Sequence, residues 1–180
     1  MGIIFFCGIK HSGKTSLAKL VADRMGFACI DNDDLILADR PELSSIRELY
    51  KREGKEAFMA QEVASLQAFL DLKPSSTIIS LGGGACDNER LCSLIASSGK
   101  IVYLKVAQNI LLKRILRGGV PPFLDPLNVE RSFAELYAHR DDLYGKLSHI
   151  VVELPPYADI NDTAEFLFSR LSEELMHGSQ

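Results

Sequence analysis

The sequence has no excess of positive charge and no apolar stretch long enough to cross a membrane. Its 24 aspartate and glutamate residues outnumber its 20 lysine and arginine residues, which gives a formal net charge of −4 and an isoelectric point near 5.6. Nucleic-acid-binding proteins generally carry a basic patch or stripe, and a transmembrane helix needs roughly 20 consecutive apolar residues. We therefore expect neither a nucleic acid nor a membrane as a partner.

The four cysteines lack the spacing of a metal site or of a redox motif. No two of them form a Cys-x-x-Cys pair, and Cys7 and Cys29 lie in apolar segments, where small buried side chains are expected. Free thiols in a domain of this size are typical of a reducing compartment. The N-terminal run IIFF is also too short for a secretion signal. These observations together predict a cytoplasmic location.

No internal repeat or low-complexity linker divides the chain, so residues 1–176 are expected to form one domain, followed by a tail at 177–180. Short apolar runs predict strands at 3–7, 27–30, 77–81, 101–106 and 149–153. Helical spacing predicts helices at 14–25, 44–72 with a break near Gly54, 88–98, 107–116, 129–143 and 162–175. This alternation predicts an α/β fold of three layers, with a central parallel sheet of about five strands and helices on both faces.

The first strand runs directly into a glycine-rich segment, CGIKHSGKTS, that opens a helix. The segment fits the pattern G-x-x-x-x-G-K-[ST] without a gap. Gly8 and Gly13 permit backbone conformations that turn N–H groups toward an anion, and the positive end of the helix adds to the attraction. The Lys14 ammonium can reach β- and γ-phosphates, while the Thr15 hydroxyl can bind Mg²⁺. The segment predicts a site for ATP and Mg²⁺ formed by Gly8, Ile9, Lys10, His11, Ser12, Gly13, Lys14, Thr15 and Ser16.

Acidic residues follow the second predicted strand, in the order Asp31, Asn32, Asp33 and Asp34. Ligands of open α/β sheets lie beyond the carboxyl ends of the strands, so these acids should lie near the phosphates. One of them can organise Mg²⁺ or its waters while another accepts a proton from an attacking hydroxyl. The alternative is that Asp33 or Asp34 caps a following helix, with Asp34 as the preferred cap.

Together these segments resemble the shikimate kinases, small P-loop enzymes that phosphorylate shikimate with ATP in aromatic amino-acid biosynthesis. The resemblance covers nearly the whole chain, in GIKHSGKTSLAKLVADRMGFACIDND, SIRELYKREGKEAF, IISLGGGA and YAHRDDLY. It implies a monomeric phosphotransferase with a P-loop kinase fold. It also implies a mobile lid at about 115–127 and a substrate-binding helical segment at about 33–62.

The resemblance assigns a role to several residues. It implies that Asp33 holds the acceptor hydroxyl and serves as its base, and that Asp31 organises the metal. The turn formed by residues 82–84 (Gly82, Gly83 and Gly84) is implied to approach the acceptor with its backbone. The guanidinium of Arg140 is implied to bind the acceptor carboxylate, a bidentate task that suits arginine. Arg114 is implied to lie along the adenine.

Each of the last three features also has a purely structural alternative. The glycines can simply form a tight loop. Arg140 can form a surface ion pair with Asp141 or Glu135, and Arg114 can be an ordinary exposed residue of its helix.

The sequence departs from the family pattern at two arginine positions. The family usually carries GE-x-x-F-R-x-x-E, but this chain reads GKEAFMAQE, so that Met59 replaces the arginine while Glu62 is retained. The family lid usually reads R-P-L-L, but here Pro121 takes the place of its arginine. Loss of a charged hydrogen-bond partner typically costs about 1.5–3 kcal/mol. Lys55, one helical turn before Met59, and Arg117, within the lid, are candidates to supply the missing charges.

Three functions are therefore open at the level of sequence. The leading one is a shikimate kinase with an altered carboxylate site. The second is a P-loop kinase for another small hydroxylated metabolite, such as a gluconate- or nucleoside-type acceptor, to which the apolar Met59 and Phe123 are suited. The third is a nucleotide-binding regulatory module without efficient phosphoryl transfer. The retention of Lys14, Thr15, Asp31 and Asp33 disfavours the third.

Overall fold

The strands of the protein form a five-stranded parallel sheet in the order β2-β3-β1-β4-β5. The computed structural model describes residues 2–117, 119–120, 123–156 and 159–177, without the side chains of residues 176 and 177. Within these residues the strands are β1 (Ile3–Cys7), β2 (Ala28–Asp31), β3 (Thr77–Ser80), β4 (Lys100–Lys105) and β5 (Ile150–Glu153). The predicted parallel sheet of about five strands is confirmed.

The helices in the described ranges are α1 (Lys14–Met25), α2 (Asn32–Asp39), α3 (Ile46–Asp71), α4 (Glu89–Ser98), α5 (Gln108–Leu116), α6 (Val129–Leu147) and α7 (Ile160–His177), with a short 3₁₀ turn at Ala85–Asp87. Six of these seven helices lie at the predicted places, and α2 is expected only as part of the implied helical segment at about 33–62. The predicted break in α3 is confirmed, because Gly54 has a non-helical backbone with φ 85° and ψ 179°. α6 extends beyond its predicted end at residue 143, and its next residue, Tyr144, is fully buried.

The centre of the sheet is covered on both faces. Every residue of β1 from Ile4 to Cys7 and every residue of β3 is buried, as expected of parallel strands between two layers of helices. α1 packs against α7, and α3 packs against α4. None of the helices in the described ranges is long and apolar enough to span a membrane.

The cysteines are free thiols, and their burial follows the strand order. Cys7, on the central strand β1, is fully buried as predicted. Cys29 was predicted to be a buried core residue, and this is wrong, because it is only half-buried. It lies on β2, which has a neighbouring strand on one side only and is therefore less covered.

The register of the strands brings three loops to one edge of the sheet. Asp31, the last residue of β2, lies opposite Ser80, the last residue of β3, and Phe6 of β1 lies opposite the same serine. Because the strands are parallel, the segments that follow Cys7, Asp31 and Ser80 emerge side by side. The glycine-rich segment, the acidic segment and residues 82–84 therefore meet there.

Candidate active site

A cleft of about 570 Å³ opens at this edge of the sheet. One wall is formed by residues of the P-loop (8–15), and another is the α3 wall, which consists of Ile46, Tyr50, Lys55, Phe58, Met59 and Glu62. The predicted site residues that line the cleft are Lys10, His11, Gly13, Lys14, Thr15, Ser16, Asp31, Asp33, Gly82, Gly83, Gly84 and Arg140. Most of the predicted nucleotide and acceptor residues thus share one cavity, whereas Gly8, Ile9, Ser12 and Arg114 do not line it.

The two glycines of the P-loop are required by its backbone. Gly8 has φ 152°, and a Cβ atom there would lie 2.8 Å from the carbonyl oxygen of Leu104. Gly13 has φ 92° and directly precedes α1. Both conformations are rarely adopted by residues with side chains. The loop therefore places the N-terminus of α1 at the cleft, where its free N–H groups attract an anion.

Lys14 is folded back into the loop and is only 7% exposed. Its ammonium donates hydrogen bonds to the carbonyl oxygens of Gly8 at 2.8 Å and Ile9 at 3.3 Å, and contacts the Ser12 hydroxyl at 3.5 Å. Burial lowers the pKa of Lys14 from 10.5 to about 8. This cation has lost much of its hydration without gaining an ion pair among the described residues, which favours binding of a phosphate beside it.

Oxygen atoms cluster at the start of α1. The Thr15 hydroxyl donates to Asp31 Oδ2 at 2.7 Å, and Ser80 Oγ lies 3.3 Å from Thr15 Oγ1. Within the described ranges, no three His, Cys, Asp or Glu side chains come together as a metal site. Hydroxyl and carboxylate oxygens are nevertheless the ligands that Mg²⁺ prefers when phosphates complete its coordination. The donor set therefore fits Mg²⁺ bound together with a nucleotide.

Asp31 also caps α2. Its Oδ1 accepts a hydrogen bond from the backbone N–H of Asp33 at 3.0 Å. The prediction that Asp34 is the cap is wrong, because β2 extends to Asp31 and the helix begins at the next residue. Asp34 is exposed instead. One carboxylate thus fixes the start of α2 and the Thr15 hydroxyl together.

The carboxylates of Asp33 and Glu62 both lie close to Gly82. A Cβ atom built on Gly82 would lie 3.7 Å from Asp33 Oδ1 and 3.5 Å from Glu62 Oε1. Burial, reinforced by the charge of Asp31 and opposed by that of Lys14, raises the pKa of Asp33 from 3.8 to about 6. Asp33 is therefore mostly ionised at neutral pH, and its basicity is well suited to accepting a proton from a hydroxyl.

Glu62 is 2% exposed, and the only polar side chain bonded to it in the described structure is Asn88, whose amide donates to Oε2 at 3.1 Å. The same amide donates to the backbone oxygen of Met59 at 2.9 Å. Burial raises the pKa of Glu62 from 4.5 to about 7; the Asn88 hydrogen bond opposes the shift, and the charge of Asp33 adds to it. The Glu62 carboxyl is therefore partly protonated near neutral pH.

We expect Glu62→Gln to stabilise the protein more strongly as the pH rises. A raised pKa in the folded state means that Glu62 contributes stability below pH 4.5, and that this contribution is lost as the pH rises through 7. The variant has no such loss, so its free energy of unfolding relative to wild type should increase by about 2–3 kcal/mol between pH 4.5 and 8. Urea denaturation at both pH values measures it. Glu56→Gln, at an exposed position of α3, is the matched control, and an equal response of the two variants would contradict the expectation.

Arg140 lines the cleft from α6. Its Nη2 donates to Asp87 Oδ2 at 2.7 Å, and its Nη1 donates to the carbonyl oxygen of Gly83 at 3.0 Å. The alternative ion pairs do not form, since Asp141 bonds to Lys105 and Glu135 bonds to Arg131. The structure thus brings Arg140 to the predicted place, and its contact with an acceptor carboxylate stays a prediction.

Gly83 has no space for a side chain. A Cβ atom there would lie 2.8 Å from the backbone nitrogen of Lys10, although the backbone φ of Gly83 is not in the left-handed region. The glycine turn therefore packs directly against the P-loop. This close contact explains the glycine at this position, and the approach of the turn to an acceptor stays a prediction.

A second cavity of about 150 Å³ lies beside the P-loop. Arg114 lines it with Ser12 and Gly13, and its Nη1 donates to the carbonyl oxygen of His11 at 3.2 Å. The remaining lining is largely apolar, with Val106, Ile110, Leu154 and Pro155. A flat base can pack on such a surface, and the contact of Arg114 with adenine stays a prediction.

The lid is described only in part. Pro121 lies outside the described residues, as do Gly118 and Pro122. Arg117 is exposed at the end of α5 and is not among the described residues that line the cleft. Phe123 is 44% exposed, with its ring centroid 5.8 Å from the Lys10 ammonium, a distance typical of a cation–π contact. The lid therefore touches the P-loop through Phe123.

Several cleft residues are absent from the predicted site, among them Phe58, Asp87 and Asn88, while Lys55 is predicted only as a candidate to replace a missing charge. Glu62 was noted in the sequence only as part of a pattern. Helical spacing from Met59 could have placed Glu62 on the same face of α3. Nothing in the local sequence indicated the pairs Asp87–Arg140 and Asn88–Glu62, which join residues 53 and 26 positions apart.

Residues 10–167 match the family model described as shikimate kinase. The shikimate kinase of Chlorobium phaeobacteroides is 34% identical over 161 residues, covering 84% of this chain and 77% of that protein. The shikimate kinase of Neisseria gonorrhoeae is 31% identical over 171 residues, covering 95% and 96%. Among solved structures, shikimate kinase from Acinetobacter baumannii in complex with shikimate has a TM-score of 0.83 at 22% identity, covering 99% of this chain and 95% of that one. A gluconokinase from Sinorhizobium meliloti has a TM-score of 0.59 at 19% identity, covering 99% and 98%.

Proposed function

Because the chain belongs to the shikimate kinase family, we propose that it transfers the γ-phosphoryl group of ATP to a hydroxyl group of shikimate, giving shikimate 3-phosphate. The observation that carries this proposal is the placement of Lys14 and Asp33 in one cleft, with a buried cation on the phosphate side and a carboxylate of raised pKa beside it. A phosphoryl donor and a hydroxyl acceptor need these two groups at the same place.

The P-loop binds the phosphates of ATP in this proposal. Its N–H groups and the N-terminus of α1 surround the β-phosphate, and Lys14 moves its hydrogen bonds from the loop carbonyls to the phosphate oxygens. Thr15 and Asp31 would hold Mg²⁺, which when bound neutralises part of the phosphate charge. Arg114 and the apolar residues of the second cavity would contact the adenine.

Asp33 orients the acceptor and removes its proton. The acceptor oxygen forms a bond to the γ-phosphorus while the bond from that phosphorus to the β,γ-bridging oxygen breaks, and the hydroxyl proton passes to the Asp33 carboxylate. ADP leaves with the electron pair of the broken bond. Once it has moved from the loop carbonyls to the phosphate oxygens, Lys14 stabilises the negative charge on the transferred group, because its ammonium is already largely desolvated.

Acceptor-dependent release of ADP tests the proposal directly. We expect turnover with Mg·ATP to require shikimate, to be absent with gluconate, and to yield a phosphate ester that ³¹P NMR identifies. Gluconate serves as the matched acid because a gluconokinase shares the fold. Turnover with gluconate or a neutral polyol alone would favour the second function, to which the apolar Met59 is suited, and binding of ATP without any acceptor-dependent turnover would contradict the kinase.

A further inference from the structure

Apart from Lys10 and Lys14 of the P-loop, the lysine and arginine residues that line the described cleft are Arg140 from α6 and Lys55 from the α3 wall. Three acids, Asp33, Glu62 and Asp87, line the same region. An anionic acceptor therefore enters a cavity that already holds negative charge. Which cation is available to it depends on what each one already binds.

Two of the three guanidinium nitrogens of Arg140 are engaged, and the third, Nε, is buried without a partner in the described structure. Its guanidinium lies 2.7 Å from Asp87 Oδ2, donates to the Gly83 carbonyl oxygen, and belongs to a side chain that is only 16% exposed. A carboxylate that binds here shares the guanidinium with Asp87 and is repelled by that acid. Arg140 alone is therefore a weak site for an anion.

Lys55 is in the opposite situation. It is exposed and lines the cleft, and its side chain forms no ion pair or hydrogen bond with any residue in the described ranges. Gly54 interrupts the helix immediately before it, so Lys55 begins the second helical segment of α3 at the mouth of the cavity. Its ammonium is free to bind an incoming anion.

The rest of the α3 wall offers no other cation. Met59 lies four residues after Lys55, about 6 Å further along the helix axis, and its thioether cannot pair with a carboxylate. Phe58 is apolar as well, and Glu62 is an acid. A carboxylate held by Lys55 would keep the body of the acceptor against the apolar surface of Phe58 and Met59.

We propose that Lys55 binds the carboxylate of the acceptor and so makes the enzyme prefer an acid to a neutral polyol. The inference rests on the proposed function, because it needs an acidic acceptor. The lysine ammonium is a point charge, whereas the arginine guanidinium is planar and binds a carboxylate with two hydrogen bonds. Lys55 therefore attracts an anion at this position without imposing one fixed binding geometry.

Steady-state kinetics of Lys55→Met test this role. We expect its KM for shikimate to rise about tenfold, because the variant loses one exposed charge-assisted contact with the substrate. Its kcat should stay within about twofold of wild type, and its KM for ATP should be unchanged. The preference for shikimate over its neutral methyl ester, measured as the ratio of kcat/KM values, should fall by about the same factor. Lys55→Arg retains the charge and should keep KM within about threefold of wild type.

Lys51→Met is the matched control, because Lys51 is exposed on α3 but does not line the described cleft. It should leave both KM values and the acid-to-ester ratio unchanged. The inference would be overturned if Lys55→Met had the same KM for shikimate and the same acid-to-ester ratio as the wild-type protein. Failure of the proposed function would give a different result from failure of this inference, because the wild-type protein itself would then not turn over shikimate.

Discussion

Asp33→Asn is expected to lower kcat by about 10²–10⁴-fold, the usual contribution of a positioned general base. Asparagine keeps the size and hydrogen-bonding reach of the side chain, so shikimate can still bind. The amide cannot take up the proton of the shikimate hydroxyl, however, and the reaction is slowed. KM for ATP should change little, because Asp33 lies beyond the P-loop. A coupled assay of ADP release at saturating shikimate and ATP measures the effect.

The pH profile gives a second measure of the same group. Since the pKa of Asp33 is raised to about 6, kcat/KM for shikimate should be half of its plateau near that pH. Below it, the rate should fall about tenfold per pH unit as the carboxylate becomes protonated. Asp34→Asn is the control, because Asp34 is the exposed neighbour on α2. An equal loss in both variants, or an acid limb that persists in Asp33→Asn, would refute the assignment.

Lys14→Met is expected to lower kcat by about 10²–10³-fold through loss of a preorganised charge on the transferred phosphoryl group. The same change should not lower stability. Burial lowers the pKa of Lys14 from 10.5 to about 8, so the folded protein disfavours the charged form by about 3 kcal/mol. Measurement of kcat tests the expected loss of rate, and urea denaturation of the same preparation tests whether stability is retained.

The sign of the stability effect follows from the proton balance. Between pH 8 and 10.5 the unfolded chain binds more protons at this lysine than the folded protein does, so wild-type stability rises with pH in this window. The advantage of Lys14→Met should therefore be largest at neutral pH and should shrink toward pH 10.5. Lys113→Met, at an exposed position of α5, is the control and should change neither the rate nor the stability. A variant that unfolds more easily than wild type at pH 7 would contradict the expectation.

Local signals account for the parts of the fold that the sequence predicts well. α1 has its predicted bounds because Gly13 and Gly26, which flank it, both adopt left-handed conformations that few other residues tolerate. The break at Gly54 has the same origin. The order of strands and helices follows from apolar runs and helical spacing, which need no knowledge of distant partners.

Contacts between distant residues account for most of what the sequence does not show. Asp87 meets Arg140, and Asn88 meets Glu62, only because α3, α4 and α6 converge on the turn after β3. The capping of α2 depends on where β2 stops pairing with β3, a property of the sheet rather than of the acidic segment itself. Such properties have no signature within a short stretch of sequence.

The contact between Gly83 and Lys10 limits how the cleft can evolve. With the P-loop backbone already 2.8 Å from the position of a Cβ atom, any larger residue at 83 displaces the nucleotide-binding loop, and so a change made for the acceptor damages the donor site. The α3 wall has no such restraint, because Lys55 is exposed and Met59 is half-buried at the cavity surface. A laboratory selection for a new acceptor, starting from this chain, should recover changes along the α3 wall and leave Gly83 as it is.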